Sequence, residues 1–407
     1  MKINNFSINF KGYDAQKIKA LYMQEPSSQE QKLVYIDLYD IGKKEGFDVF
    51  INSDKSLISH PVQLLYGYDK NTLGCDYWAQ DNKVMLNKNG ETEILTKRKI
   101  NNFISPNYDE ACELAEKTGF KLRETPLLIE GGNIFIGKND KGDNYLITGK
   151  ETVLDSAIML FLHSRGVEEI NTEDFANFYE RRKLVHKNKQ TKKFQVITMS
   201  EFDDKFEYWI KYTKEKLGEE FDVKTKNITI ISQPNFHIDL GIRPLEYPYV
   251  LVNDTEILKE NLVKAEKEIK RNKFLFLKQF KRAIEELQTY YAHSNTIANE
   301  LKSAGFVPIM IGGGYSHKNV NFINAIANKH QTGVSYITNS VQCHDDRYMI
   351  FQKMFEDEIN KKYPKIDRLY YVQGSTSCSD EKNIMMQYLN DLRGGVHCLV
   401  CEQIDFE

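Results

Sequence analysis

The chain has 407 residues, 41% hydrophobic and 28% charged, with 23 tyrosines and 23 phenylalanines. That is enough apolar area for a substantial core, so wholesale disorder is excluded, and the length admits one large domain or two ordinary ones. A net charge of -3 gives no overall pull toward nucleic acid or an anionic membrane, and six scattered cysteines are too sparse for a disulfide framework. No run approaches the roughly 20 apolar residues of a bilayer span. The opening Met1-Lys2-Ile3-Asn4-Asn5-Phe6 lacks the apolar run of a secretory signal. A cytoplasmic setting is expected, or export without a cleaved signal.

Apolar runs bounded by turn residues predict strands over 32–38, 47–51, 62–66, 83–86, 127–135 and 145–148. Helical patterns precede Val34 and cover 108–118, where Gly119 can adopt the left-handed conformation that ends a helix. Helical spacing then takes over. Val153, Ala157, Leu160 and Leu162 form one segment ending near Gly166, followed by segments over 175–182 and 202–217, so 151–225 reads as a helical insertion. Strands are expected over 228–231, 236–242 and 249–252. Leu258, Leu262, Ala265, Ile269, Phe276, Phe280 and Leu287 then recur at helical intervals, making 255–303 a second helical insertion or extension. The remainder alternates strands at 307–311, 334–338, 368–372 and 396–404 with helices at 318–327 and 347–363. Interleaving of this kind predicts an α/β fold over the whole of 1–407.

The chemistry concentrates in a few short segments. Gly394-Gly395-Val396-His397-Cys398 leads a cysteine with glycines, which leaves its sulfur open to approach from the backbone side. Cys401 adds a Cys-x-x-Cys spacing, but no second such pair completes a zinc site, and a strand would turn the two thiols to opposite faces. In an extended segment His237 and Asp239 share a face, where the carboxylate can orient the imidazole for acid–base work; a core histidine satisfied by a nearby carboxylate is the alternative. Glu130 ends an apolar run just before Gly131-Gly132, either as a functional carboxylate or as a solvated strand end. Asp81 beside Trp78 carries the same two readings. Gly312-Gly313-Gly314 reads as a structural turn, because His317 stands where a dinucleotide motif needs its third glycine. The basic runs 181–183 and 187–193 suit a solvated loop or the docking of an acidic macromolecule.

Taken in order, Trp78-Ala79-Gln80-Asp81, Glu130-Gly131-Gly132-Asn133, His237-Ile238-Asp239 and Gly394-Gly395-Val396-His397-Cys398 resemble the motifs of the guanidine-modifying, or pentein, superfamily, which includes agmatine, arginine and protein-arginine deiminases and amidinotransferases. Asn319-Val320-Asn321-Phe322-Ile323-Asn324 resembles its penultimate motif. The resemblance implies a five-bladed α/β propeller with helical insertions. Cys398 would be the nucleophile, His237 the general acid/base, Glu130 an orienting residue, and Asp81 and Asp239 the guanidinium anchors, with Trp78 and Asn133 completing the substrate-binding set. The implied activity is a deiminase acting through an amidino-cysteine adduct on an arginine-like small molecule or protein arginine, with no metal and no organic cofactor. Gln80 replaces the arginine usual in agmatine deiminases and matches the vertebrate protein-arginine deiminases, which lack the Glu-Gly-Gly-Asn motif. Amidino transfer, or a catalytically silent protein that holds a protein partner through its helical insertions, are the other readings.

Overall fold

The computed structural model describes residues 16–24, 26, 29–53, 56–60, 79, 83–88, 90–97, 107–167, 170, 172–188, 191–233, 237–268, 294–313, 321–340, 346–373 and 395–404. One small unit recurs along it: an antiparallel strand pair whose second strand also pairs in parallel with a third. Near the start, β1 (Ile18–Gln24), α1 (Gln29–Glu45) and β2 (Asp48–Asn52) place β1 and β2 in parallel, and the short β3 (Leu57–Ile58) adds antiparallel to β2. β4 (Lys83–Lys88) and β5 (Glu91–Lys97) form a hairpin, and after α2 (Asn107–Thr118) strand β6 (Lys121–Thr125) lies parallel to β5. β7 (Ile134–Lys138) and β8 (Asn144–Gly149) repeat the hairpin. A long excursion follows, through α3 (Lys150–Ser164), α4 (Thr172–Arg181), β9 (Lys183–Lys187), β10 (Phe194–Thr198), α5 (Met199–Asp203) and α6 (Phe206–Phe221), before β11 (Ile228–Ile231) pairs in parallel with β8.

The third unit pairs β12 (Ile242–Pro244) with β13 (Tyr249–Asp254) and, beyond α7 (Thr255–Glu268) and α8 (Ser294–Ser303), adds β14 (Val307–Gly312) in parallel. The fourth pairs β15 (Ile326–Lys329) with β16 (Val334–Asn339) and returns through α9 (Asp346–Lys362) to β17 (Ile366–Val372). The fifth is assembled from both ends of the chain: β18 (Val400–Ile404) runs antiparallel to β1, whose parallel partner is β2. A parallel neighbour needs a crossover of a dozen or more residues, which is why a helix precedes the third strand of each unit.

The excursion after β8 is held by α3, which is apolar on nearly all sides and buries Val153, Ala157, Ile158, Met159, Leu160, Phe161 and Leu162. A helix of that composition belongs inside. Its Phe161 ring meets Trp209 of α6 at 5.6 Å and Phe178 of α4 at 6.3 Å. Gly119 and Gly166 end α2 and α3 at φ of 71° and 81°, as expected of those glycines.

Several expectations are corrected. The run 32–38 lies in α1, not in a strand: Val34, Tyr35, Leu38 and Ile41 are buried at helical intervals, and a short apolar run has no period of its own. The segment 127–135 is a strand only from Ile134, with a 3-10 turn at Gly131–Asn133 before it. Likewise 236–242 holds a 3-10 turn at Ile238–Leu240 and 396–404 is a strand only from Val400. Within the expected helix over 318–327 the described residues 321–325 form no helix and β15 begins at Ile326, and the segment 202–217 is two helices, α5 and α6. Within 151–225 the β9–β10 ribbon makes the insertion mixed rather than purely helical. The strand expected over 62–66 and the helical pattern beyond 268 to Leu287 lie outside the described residues.

Candidate active site

Two turns of the same local shape present the first pair of candidate side chains. Glu130 is extended (φ -131°, ψ 136°) and is followed by the 3-10 turn Gly131–Asn133; His237 is extended (φ -124°, ψ 142°) and is followed by the 3-10 turn Ile238–Leu240. The turns are joined directly, because Ile238 N donates to Asn133 Oδ1 at 3.0 Å. Asn133 also donates from Nδ2 to Glu130 Oε2 at 3.4 Å, so its carboxamide fixes both turns at once.

His237 is buried and its Nε2 lies 3.0 Å from Glu130 Oε2. Gly132 is what lets the ring in: a Cβ there would stand 2.6 Å from His237 Nδ1. Burial pushes the Glu130 carboxyl up, but the hydrogen bond and charge of His237, with Lys97 and Asn133 assisting, outweigh it and hold the group at about 2. Lys97 Nζ lies 3.8 Å from Glu130 Oε1. Glu130 is therefore a carboxylate throughout the neutral range, suited to orienting the imidazole and stabilising its charged form.

The cysteine sits in the turn before β18. Asn324 Oδ1 accepts from His397 N at 2.9 Å and from Cys398 N at 3.4 Å, while Asn324 Nδ2 donates to Cys398 Sγ at 3.1 Å. An amide N–H aimed at sulfur favours thiolate character. Asn339 Oδ1 accepts from Val396 N at 2.8 Å, so two asparagines hold the turn's backbone. Gly395 is required between them, since a Cβ there would lie 2.6 Å from Asn324 Oδ1 and 2.7 Å from Asn339 Nδ2. The Cys398 S–H donates to Asp239 Oδ2 at 3.4 Å.

His237, Asp239 and Cys398 each bring a donor atom to within 4.8 Å of the others, and all three are buried. That spacing could hold a metal ion; the imidazole also has a carboxylate partner and the sulfur an amide partner, an arrangement that suits an acid–base group beside a nucleophile. Of the residues expected from the motifs, Glu130, Asn133, His237, Asp239 and Cys398 come together; Trp78 and Asp81 lie outside the described residues. Asn324 and Lys97 were not expected to act here. Asn324 closes the quoted penultimate motif, which is the signal that could have found it; Lys97 ends an ordinary strand and offers none. Cys401 is buried, accounts for no part of the site, and points its thiol at the Lys83 carbonyl at 3.8 Å. Burial pushes that thiol up to about 11, with Glu402 adding to the shift, so it is inert near neutrality.

No protein-family model and no curated protein matches the chain. Solved structures do. An agmatine deiminase of C. jejuni superposes with a TM-score of 0.53 at 11% identity, over 100% of this chain and 98% of that one. A variant of the C. jejuni enzyme with cysteine replaced by serine and substrate bound gives 0.51 at 12% identity, over 100% and 99%. A protein provisionally described as a peptidyl-arginine deiminase gives 0.53 at 13% identity, over 98% and 99%. Over its described residues this chain shares the α/β fold of these neighbours.

Proposed function

We propose that this protein is a cysteine-dependent guanidine hydrolase, a deiminase that converts the guanidinium group of an arginine-like compound into a ureido group. The observation that carries the reading is the meeting of Cys398 Sγ, Asp239 and His237 within 4.8 Å, with Glu130 3.0 Å behind the imidazole. The five repeated sheet units support a further part of it, a five-bladed propeller with these residues near its axis.

A guanidinium is planar, cationic and rich in N–H donors. Asp239, and Asp81 as its proposed partner, take these N–H groups in charge-assisted bonds and turn the central carbon toward the sulfur. His237 takes the Cys398 S–H proton, and the resulting thiolate attacks that carbon and forms the C–S bond. His237 gives its proton to the departing nitrogen, the C–N bond breaks, and ammonia or an amine leaves. A water molecule then attacks the amidino-cysteine carbon while His237 takes its proton. Collapse of that adduct breaks the C–S bond, returns the thiolate and releases the ureido product. Glu130 holds Nε2 of His237 through both steps and offsets its positive charge.

The test is ammonium or alkylamine release from arginine, agmatine, methylated arginines and arginyl proteins, with mass spectrometry of Cys398 for the adduct. Turnover of at least one of them, abolished in Cys398→Ala while binding persists, is the expected result. Absence of release and of adduct across the whole panel would sink the proposal.

A further inference from the structure

Beside the nucleophile, one imidazole is held between two buried carboxylates. His397 is fully buried, with Nδ1 2.8 Å from Asp239 Oδ2 and Nε2 3.7 Å from Glu402 Oε1. Its ring stacks on Phe135 of β7 at 5.7 Å and 23°. Arg243 of β12 sets its guanidinium carbon 5.7 Å from the centre of the same Phe135 ring and its Nη2 3.4 Å from Glu402 Oε1. With its backbone N–H on Asn324, the histidine is fixed at the main chain, at one ring face and at Nδ1. The groups facing it are Asp239 from the turn after His237, Glu402 of β18 with Arg243 behind it, and Cys398 as its chain neighbour.

Asp239 Oδ2 receives both the His397 ring N–H and the Cys398 S–H. The direction of that carboxylate therefore depends on His397. We infer that His397 is a positioning residue: it clamps Asp239 in the one orientation in which the carboxylate can serve a bound cation and stand beside the sulfur together. Its two carboxylates tie the turn before β12 to β18, so the clamp joins the Asp239 turn to the Cys398 turn. A carboxylate has two equivalent oxygens and a freely turning terminal torsion, and only a donor of fixed direction selects one arrangement. The ring acts on the site through the Asp239 carboxylate that it orients.

The inference rests on the proposed guanidine chemistry only for its ligand readout. In the full-length protein, His397→Asn keeps an N–H near the place of Nδ1, whereas His397→Leu has similar size and no donor. Two quantities are measured for each: the agmatine or arginine concentration that protects Cys398 from iodoacetamide, and KM and kcat for whichever compound is turned over. Loss of the clamp in His397→Leu is expected to raise the protecting concentration and KM by about tenfold or more, with a smaller change in kcat. His397→Asn is expected to restore both to within about threefold of the unaltered protein. Equal losses in the two variants, or no loss in either, overturn the inference. If His397→Leu does not fold, His397→Gln, whose donor lies one methylene further out, takes its place with the same expected order.

Failure of the guanidine reading shows separately, as an unaltered protein whose Cys398 no guanidinium compound protects. The clamp is then judged on iodoacetamide rates alone. Because Asp239 accepts the Cys398 S–H, the Leu variant should differ from the unaltered protein by about threefold or more while the Asn variant does not; identical rates in all three reject the clamp.

Discussion

At the scale of single residues, the site depends on atoms that are missing as much as on those present. Gly132→Ala puts a methyl 2.6 Å from His237 Nδ1, where the obstacle is a buried ring already tied to Glu130. The ring must move, and misplacing a catalytic group by about 1 Å costs on the order of 100-fold in rate. Steady-state turnover of Gly132→Ala should fall by about that factor while its thermal unfolding changes little; unaltered turnover would show that the ring does not need this seat. Glu130 carries a pH signature. Its folded value, about 2, lies below the ordinary 4.5, so its contribution to stability is complete above about 4.5 and is lost as pH falls toward 2. Glu130→Gln should therefore flatten acid unfolding in that interval, as followed by fluorescence, besides slowing turnover. Glu130, His237, Asp239 and Cys398, which the fold brings together, were legible as a candidate set because each lies in a short motif and the motifs recur in a telling order along the chain. Lys97, Arg243 and Glu402 were not: Lys97 ends an ordinary strand, and Arg243 and Glu402 are 159 positions apart and meet only in the folded chain.

Among the elements, α3 shows what periodicity can and cannot carry. Its helical spacing and its glycine stop were plain, yet the same reading made a strand of α1 and extended three strands through the turns at Gly131–Asn133, Ile238–Leu240 and 396–399. Those turns carry or adjoin Glu130, His237, Asp239 and Cys398. A single 3-10 turn is too short to impose a period, so the functional turns were hidden inside apolar runs. α3 also carries a carboxyl in an unfavourable place. Burial, with Glu151 and Glu130 adding like charge, pushes Asp155 up to about 7. The folded protein then holds that proton more tightly than the unfolded chain, whose value is the ordinary 3.8, so stability contributed by this group declines as pH rises from about 4 to 7. Asp155→Asn, which keeps the shape and removes the charge, should raise the unfolding midpoint at pH 8 and hardly change it at pH 4, with a gain on the order of 1–2 kcal/mol. A midpoint raised equally at both pH values would refute the electrostatic account.

For the whole molecule, the unit that contains Cys398 is completed by the other end of the chain. β18 is seated antiparallel on β1 from Ile18↔Ile404 to Met23↔Val400, and Ile18 and Leu21 share one core with Val396, Leu399 and Val400. Across the adjoining boundary, Glu45 at the end of α1 accepts from Tyr370 Oη at 2.6 Å and Arg368 Nη1 at 3.2 Å, and from Ser335 Oγ. The join between the start and the end of the chain thus has an apolar part, where β1 meets β18, and a polar part, where α1 meets the fourth unit. Leu21→Ala removes a side chain with no exposed area from the apolar part, where the cost is about 2–5 kcal/mol. Because the same core backs the turn that carries Cys398, the loss should not stay local. Alkylation of Cys398 under native conditions should quicken in step with the lowered unfolding midpoint, and ligand protection should weaken with it. A variant that lowers the midpoint while leaving Cys398 reactivity untouched would mean that the nucleophile's turn is held by Asn324 and Asn339 alone, and that closure through β1 serves stability without serving the site.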